Sequence, residues 1–288
     1  MEEIIIGPGI GVMHGLVNAG FVAGSDGVLI IDTMYSPADG REIEAFARRH
    51  STAPFRAVLN THHHADHTFG NQVFATQVIA SEECRRRMVD NLRGAWSHPE
   101  LQGLRQSLGD RLDGLQITVP SITFAQGLSL FVGQIGGQAG GQGRVDFRVR
   151  GGHTPGSSTV FLPEQGVMFS GDLFFVGRYP FVRHADTLAW VDALRRIKEV
   201  APATLVPGHG PVCDTKAMAR EADRMIEYFL ATRGTAEAML SEGLTRDEIV
   251  ARAPEFPRAA AEGYERLHAA NVGYIVDEVT TNNRTALG

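Results

Sequence analysis

The sequence predicts an α/β protein, a layered sandwich of strands and helices with further helices laid over it at the C-terminal end. Two observations carry this. Strand-like and helix-like segments are mixed through about the first 215 residues, and the pattern after Asp214 is helical. The chain has 288 residues, 43% hydrophobic and 21% charged, the balance of an ordinary globular domain large enough to bury a sizeable core. No fixed-period repeat is visible. The expected division is a catalytic domain over residues 1–214, with the helices of 215–288 packed on the same domain.

Each element has a local reason. In 19-AGFVAGSDGVLIIDT-33 two apolar runs flank the turn 24-GSDG-27, a hairpin signature. In 36-SPADGREIEAFARRH-50 Ser36 can cap a helix, Pro37 suits its first position, and Asp39 completes a capping-box pattern. The run 56-RAVLN-60 is β-like. Residues 81–115 are polar and read as helical, with Trp96 among them. Two strands joined by 133-GQIGGQAGGQGR-144 follow; that glycine run lacks the Lys-Ser/Thr ending of a phosphate loop and reads as a flexible hairpin tip. The stretch 7-GPGIG-11 is equally weak as a dinucleotide fingerprint. Strands resume at 145-VDFRV-149, 158-STVFL-162 and 166-GVMFS-170. A capped helix over 186–200 carries Trp190, Leu194 and Ile197 on one side, and 203-ATLVP-207 is a last strand. Met218, Ala222, Met225, Ile226, Phe229 and Leu230 then have helical spacing and read as core, and Thr245 with Glu248 forms another capping box.

Bulk properties exclude several classes. A net charge of −6 argues against a general nucleic-acid binder, which would present a basic face. Cys84 and Cys213 are far apart and in no CxxC pattern, so no disulfide scaffold is expected and a cytoplasmic location fits. Ile4–Gly24 lacks charged residues, but Pro8, Asn18 and six glycines interrupt it and Glu2 and Glu3 precede it. That is neither a signal peptide nor a spanning helix, and no membrane association is expected.

The informative stretch is 60-NTHHHADHTFGN-71. Four histidines and an aspartate fall within six positions. On an extended backbone His62 and His64 face one point while His63 faces away. A turn into a helix could return Asp66 and His67 beside them. Imidazole nitrogens and a carboxylate are zinc ligands, and this spacing supplies four, enough to begin two adjacent sites. Three further candidates end strand-like runs: His153 in 151-GGHTPGSS-158, Asp172 in 169-FSGD-172, and His209 in 207-PGHGP-211. Taken singly, His153 or His209 reads as a hydrogen-bonded loop histidine, Asp172 as a turn residue and Asp66 as a helix N-cap. Five histidines and two aspartates at strand ends together read as a metal site. His14, His50, His63, His98, His184 and His268 have no such pattern and are assigned no site role.

In order and separation, His62-x-His64-x-Asp66-His67, His153, Asp172 and His209 resemble the five-part motif of the metallo-β-lactamase-fold hydrolases. The resemblance covers roughly residues 20–211 and implies an αββα sandwich with the site along one edge of both sheets. It implies His62, His64 and His153 on one metal, Asp66, His67 and His209 on the other, and Asp172 bridging them. Asp32, in 29-LIIDT-33, matches an aspartate that supports the metal loop from behind. Two zinc ions are expected, with iron or manganese also fitting mixed N/O ligands. The implied chemistry is attack of a metal-bridging hydroxide on an ester-type carbonyl of a small molecule, with Asp66 as the catalytic proton shuttle.

Subfamily features rank the substrates. A bridging aspartate resembles glyoxalase II-like and lactonase branches more than zinc β-lactamases, which commonly carry Cys or Ser there. Phe175 stands where many lactonases have tyrosine, with Tyr179 nearby. Arg178 is the one basic residue after Asp172 that resembles the glutathione-binding set. The expectation is a thioester, ester or lactone, with β-lactam hydrolysis and a mononuclear iron persulfide dioxygenase as alternatives. Pocket walls are expected from residues 85–120, including Trp96 and Leu104, from 174-FFVGRYPF-181, and from Tyr264–Tyr274. Arg178 and Arg183 would bind a substrate carboxylate, or else serve as surface ion pairs. A homodimer is compatible with the resemblance.

Overall fold

The computed structural model of the chain describes residues 1–94, 98–137, 141–257 and 264–286. Two mixed sheets stack face to face. The first contains β1 (Glu2–Gly7), β2 (Ile10–His14), β3 (Ala19–Gly24), β4 (Gly27–Ile31), β5 (Phe55–Leu59), β6 (Gln77–Ser81) and β7 (Ile122–Phe124), ordered as in the chain. Its first four strands pair antiparallel, whereas β4 to β7 run parallel. Parallel neighbours need crossovers. Helix α1 (Pro37–His50) links β4 to β5, the short α2 (Ala65–Thr68) lies between β5 and β6, and α3 (Glu82–Arg93) and α4 (His98–Leu108) lie between β6 and β7.

The second sheet is built from β8 (Gly127–Phe131), β9 (Arg144–Val149), β10 (Ser158–Leu162), β11 (Val167–Phe175), β12 (Thr204–His209) and β13 (Cys213–Asp214). Its spatial order is β13-β12-β11-β10-β9-β8, antiparallel except for the β11–β12 pair. Helix α5 (Thr187–Val200) makes that parallel crossover. Helices α6 (Thr215–Ser241), α7 (Arg246–Ala251) and α8 (Glu265–Ala286) follow.

Three apolar layers join these parts. Leu29, Ile31, Val12 and Leu59 of the first sheet meet Phe147, Val160, Leu162 and Phe169 of the second. On the outer face of the first sheet, Ile30, Phe21 and Val58 meet Ile43 and Phe46 of α1. Neighbours Leu29 and Ile30 thus serve opposite layers, as period-two alternation requires. On the outer face of the second sheet, Met168, Leu173 and Leu205 are covered by Trp190 and Leu194 of α5, Met218, Met225 and Phe229 of α6, and Ile275 of α8. The result is the αββα sandwich, with the C-terminal helices in its outer layer.

Caps follow the sequence signals. Ser36 accepts the Asp39 N–H at 3.1 Å, and the Asp39 carboxylate accepts the Ser36 hydroxyl at 2.6 Å. Thr245 and Glu248 form a complete capping box. The α6 stripe needs one correction. Met218, Ala222, Met225 and Phe229 are buried, but Ile226 is only partly buried and Leu230 is exposed. Both follow a stripe residue by one position, which turns them toward the edge of the buried face. Among the described residues, no helix is long and apolar enough to cross a membrane.

Candidate metal centre

The histidine cluster sits where β5 ends and the chain bends into α2. Local hydrogen bonds hold that bend. The Asn60 and Asn71 amides interlock, with Asn71 donating to Asn60 Oδ1 at 2.8 Å and Asn60 to Asn71 Oδ1 at 3.0 Å. Asp32 accepts the Thr61 N–H at 2.8 Å, the Thr61 hydroxyl at 2.7 Å and the His67 Nδ1 proton at 2.8 Å. Asp32 has φ +55° and Met34 +61°, a left-handed backbone that non-glycine residues seldom adopt outside functional turns. Asp66 does not cap α2. The N-cap is His64, which makes no side-chain cap bond, and Asp66 lies in the first turn.

The other three candidates come from the second sheet. His153 lies in a loop closed by the Arg150 and Gly151 N–H groups, which both donate to the Ser157 carbonyl. Gly152 there has φ +91° and leaves no room for a Cβ against Trp190. Asp172 is in β11, and His209 ends β12. The His209 Nδ1 meets the Leu16 carbonyl at 2.7 Å. Asn18 fastens the same corner, donating at 2.8 Å to the carbonyls of Pro207 and Gly210.

All seven candidates converge. His64 Nδ1 lies 3.1 Å from His62 Nε2 and 3.0 Å from His153 Nε2. Asp172 Oδ2 is 3.6 Å from His62 Nε2 and 3.3 Å from each of His153 Nε2 and His209 Nε2. Asp172 Oδ1 is 3.0 Å from His67 Nε2. Asp66 Oδ2 stands 3.4 Å from His209 Nε2 and 3.8 Å from His67 Nε2. The side chains form one group of His62, His64, His153 and Asp172, and a second of Asp66, His67 and His209.

The arrangement suits cations. Three ring nitrogens point at one another in the first group, and neutral imidazoles cannot satisfy all those contacts with their own protons. His67 Nε2 and Asp172 Oδ1 are buried and, despite their proximity, lack hydrogen-bond geometry. Buried polar atoms without partners are uncommon, and a shared cation would satisfy both. Burial pushes His62 and His64 well below the usual histidine range, with neighbouring imidazoles adding to it, and burial brings His153 to about 4. Their lone pairs are therefore free to ligate. Burial acts the same way on His209, but Asp172 and Asp66 overcome it and hold that histidine at about 9. The donor set fits one or two metal ions.

Above the cluster opens a pocket of about 380 Å³. Phe175, Arg178, Tyr179 and Arg183 all line it. Among the described residues neither arginine is in an ion pair, so the structural-pair alternative finds no partner there. Phe175 stacks on the His209 ring at 4.9 Å. Tyr179 is a buried wall residue packed on Tyr228 and His268. Tyr264 and Leu267 line the pocket from the C-terminal helix side, whereas Tyr274 faces a different recess. From the 85–120 segment Asn91 reaches the pocket and Leu104 does not. Trp96 and the side chain of His98 fall outside the described residues.

Sequence reasoning missed several residues here. Tyr35 lines the pocket; burial, aided by Asp66 and Asp172, pushes its phenol up to about 12, so it remains a hydrogen-bond donor. Leu16 lines it too, while Phe181 does so from the expected 174–181 loop. His184, assigned no site role from sequence, lies with its Nδ1 2.9 Å from His64 Nε2. Its contact spans 120 residues, so no local spacing announces it. His63 is buried beside the ligands, its ring 4.6 Å from that of His64, yet belongs to neither ligand group containing an aspartate. His268 is a satisfied core histidine, bonded to Tyr228 and to the Ala253 carbonyl.

Comparison with known proteins agrees with this fold. The chain is 24% identical over 268 residues to a linear primary-alkylsulfatase of Pseudomonas sp. (strain ATCC 19151), covering 82% of this chain and 49% of that one. The solved structure of a sec-alkylsulfatase from Pseudomonas sp. superposes with a TM-score of 0.72 at 15% identity, covering 96% of this chain and 49% of that one. The chain thus spans about half the length of both alkylsulfatases. A metallo-β-lactamase family protein from Thermus thermophilus superposes with a TM-score of 0.69 at 18% identity, covering 97% of this chain and 95% of that one. The metallo-beta-lactamase superfamily profile matches residues 13–209, a span that holds every candidate ligand, and the chain belongs to that superfamily.

Proposed function

We propose that the protein is a dinuclear zinc hydrolase that cleaves an ester-type bond in a small molecule with an anionic group and an apolar part. The observation that carries this is the placement of seven convergent ligands at the floor of a pocket with aromatic walls and two arginines. His62, His64 and His153 would hold one ion, Asp66, His67 and His209 the other, with Asp172 between them. Zinc suits a nitrogen-rich set. When bound, such ions supply Lewis acidity and make water acidic enough to yield hydroxide near neutral pH.

The remaining work belongs to the chain's own side chains. Arg178 and Arg183 bind and orient an anionic substituent. Phe175, Phe181, Leu267 and Leu16 hold the apolar part and exclude water. The Tyr35 hydroxyl donates to a substrate oxygen. Asp66, an ionised carboxylate at the edge of the pocket, takes a proton from the attacking water and passes it to the leaving group.

Thioesters, carboxylic esters and lactones are the first substrates to try. A sulfate ester is a second reading, favoured by the alkylsulfatase relative and by the pairing of arginines with an apolar wall. The test is a panel of carboxylic esters, thioesters, lactones, a β-lactam and alkyl sulfates, run on protein reconstituted with zinc and on protein treated with chelator. Turnover of one ester class that chelation removes and zinc restores is expected. Oxygen consumption with a persulfide, in protein holding one iron and inert toward every ester, would overturn the reading.

A further inference from the structure

The contact between the candidate ligand His64 and His184, a histidine outside the seven, carries a further assignment. His64 turns its Nδ1 toward His62 and His153, so its Nε2 points away from the cluster. There it meets His184 Nδ1 at 2.9 Å. His184 comes from the loop between β11 and α5, beside Arg183, and lines the pocket. Its ring lies 5.2 Å from that of the half-buried His64 and 5.5 Å from that of the buried His63, so two imidazoles hold it in place.

We infer that His184 is a positioning residue for His64. A neutral histidine that ligates through Nδ1 must carry its proton on Nε2. His184 Nδ1 accepts that proton in a hydrogen bond. This fixes the tautomer and the ring plane of His64 and leaves the His184 Nε2–H for the pocket. A buried ligand is usually oriented by a carboxylate or a carbonyl, as Asp32 orients His67. Here a second imidazole does it, and that imidazole is also a wall of the pocket. The metal-binding group and the substrate surface are therefore joined through one hydrogen bond. The assignment rests on the metal-site reading above.

The experiment compares three full-length proteins: unsubstituted, His184→Asn and His184→Phe. Asparagine keeps an acceptor near the Nδ1 position, and phenylalanine keeps the ring packing but no acceptor. Zinc affinity is measured by competition with a chromophoric chelator, and ligand geometry by the visible spectrum of the cobalt-substituted protein. Melting of the metal-free proteins reports folding. His184→Phe should bind the ion held by His62, His64 and His153 about 10–100-fold more weakly. Its cobalt bands should shift while its metal-free melting temperature stays close to that of the parent. His184→Asn should retain affinity within about threefold and keep the parent spectrum. Parent-like affinity and spectrum in His184→Phe, or equal losses in both variants, would overturn the assignment. Failure of the unsubstituted protein to bind zinc or cobalt would overturn the metal-site reading and this assignment with it.

Discussion

Asp32 and His67 are bound at 2.8 Å, carboxylate Oδ2 to ring Nδ1, and the same carboxylate holds Thr61 at the foot of the metal loop. One side chain therefore fixes both the backbone that carries the candidate ligands and the tautomer of one of them. Asp32→Asn keeps the size and tolerates the left-handed backbone, but no longer offers two accepting oxygens. It is expected to weaken binding of the second ion about 10–100-fold. Zinc competition titration on the variant checks this.

Asn18 makes a comparable tie from the first sheet to the second. It donates to the carbonyls on both sides of His209. Asn18→Ala removes a donor from each of those carbonyls, at a cost of about 1–3 kcal/mol. A lower melting temperature together with looser binding of the ion at His209 is the expected pair of results. Thermal melts with and without zinc separate the two effects.

Gly208 precedes His209 and packs against Asp172. A methyl group there would collide with the Asp172 carboxylate and the backbone of β11. Its φ is not in the left-handed region, so the objection is space alone. Gly208→Ala is expected to abolish metal binding by displacing Asp172 or His209. Retention of two ions per chain by elemental analysis would contradict this.

Arg183 borders the pocket but not the ligand cluster. Arg183→Ala should raise KM for anionic substrates about tenfold or more, while leaving kcat and metal content near the parent values. A matched pair of charged and neutral esters makes the comparison. Equal changes for both would remove Arg183 from substrate binding.

Much of the centre was legible because its spacing is local. His62, His64, Asp66 and His67 follow from strand alternation and a short turn, and His209 from a strand end beside glycines, whereas Asp172, expected at a strand end, lies inside β11, which runs on to Phe175. The helix caps at Ser36 and Thr245 were legible for the same reason. The roles of Asn18, Tyr35 and His184 were not. Asn18 acts across 189 to 192 residues and His184 across 120, and both are set by how the two sheets stack. The α6 stripe marks an intermediate case. Its period located the helix and its buried face, but only the packed partner decides that Leu230 is exposed.

The candidate ligands divide between the sheets: His62, His64, Asp66 and His67 follow β5, whereas His153, Asp172 and His209 come from the strands and a loop of the second sheet. An ion shared across that seam would act as a rivet. It resists sliding of one sheet over the other, a motion that the apolar layer between them, being non-directional, opposes only weakly. Ligand-linked stability should then appear as mechanical cooperativity. With metal bound, amides of β5 and β12 should exchange with solvent in a single event; with metal removed, each sheet should open on its own schedule.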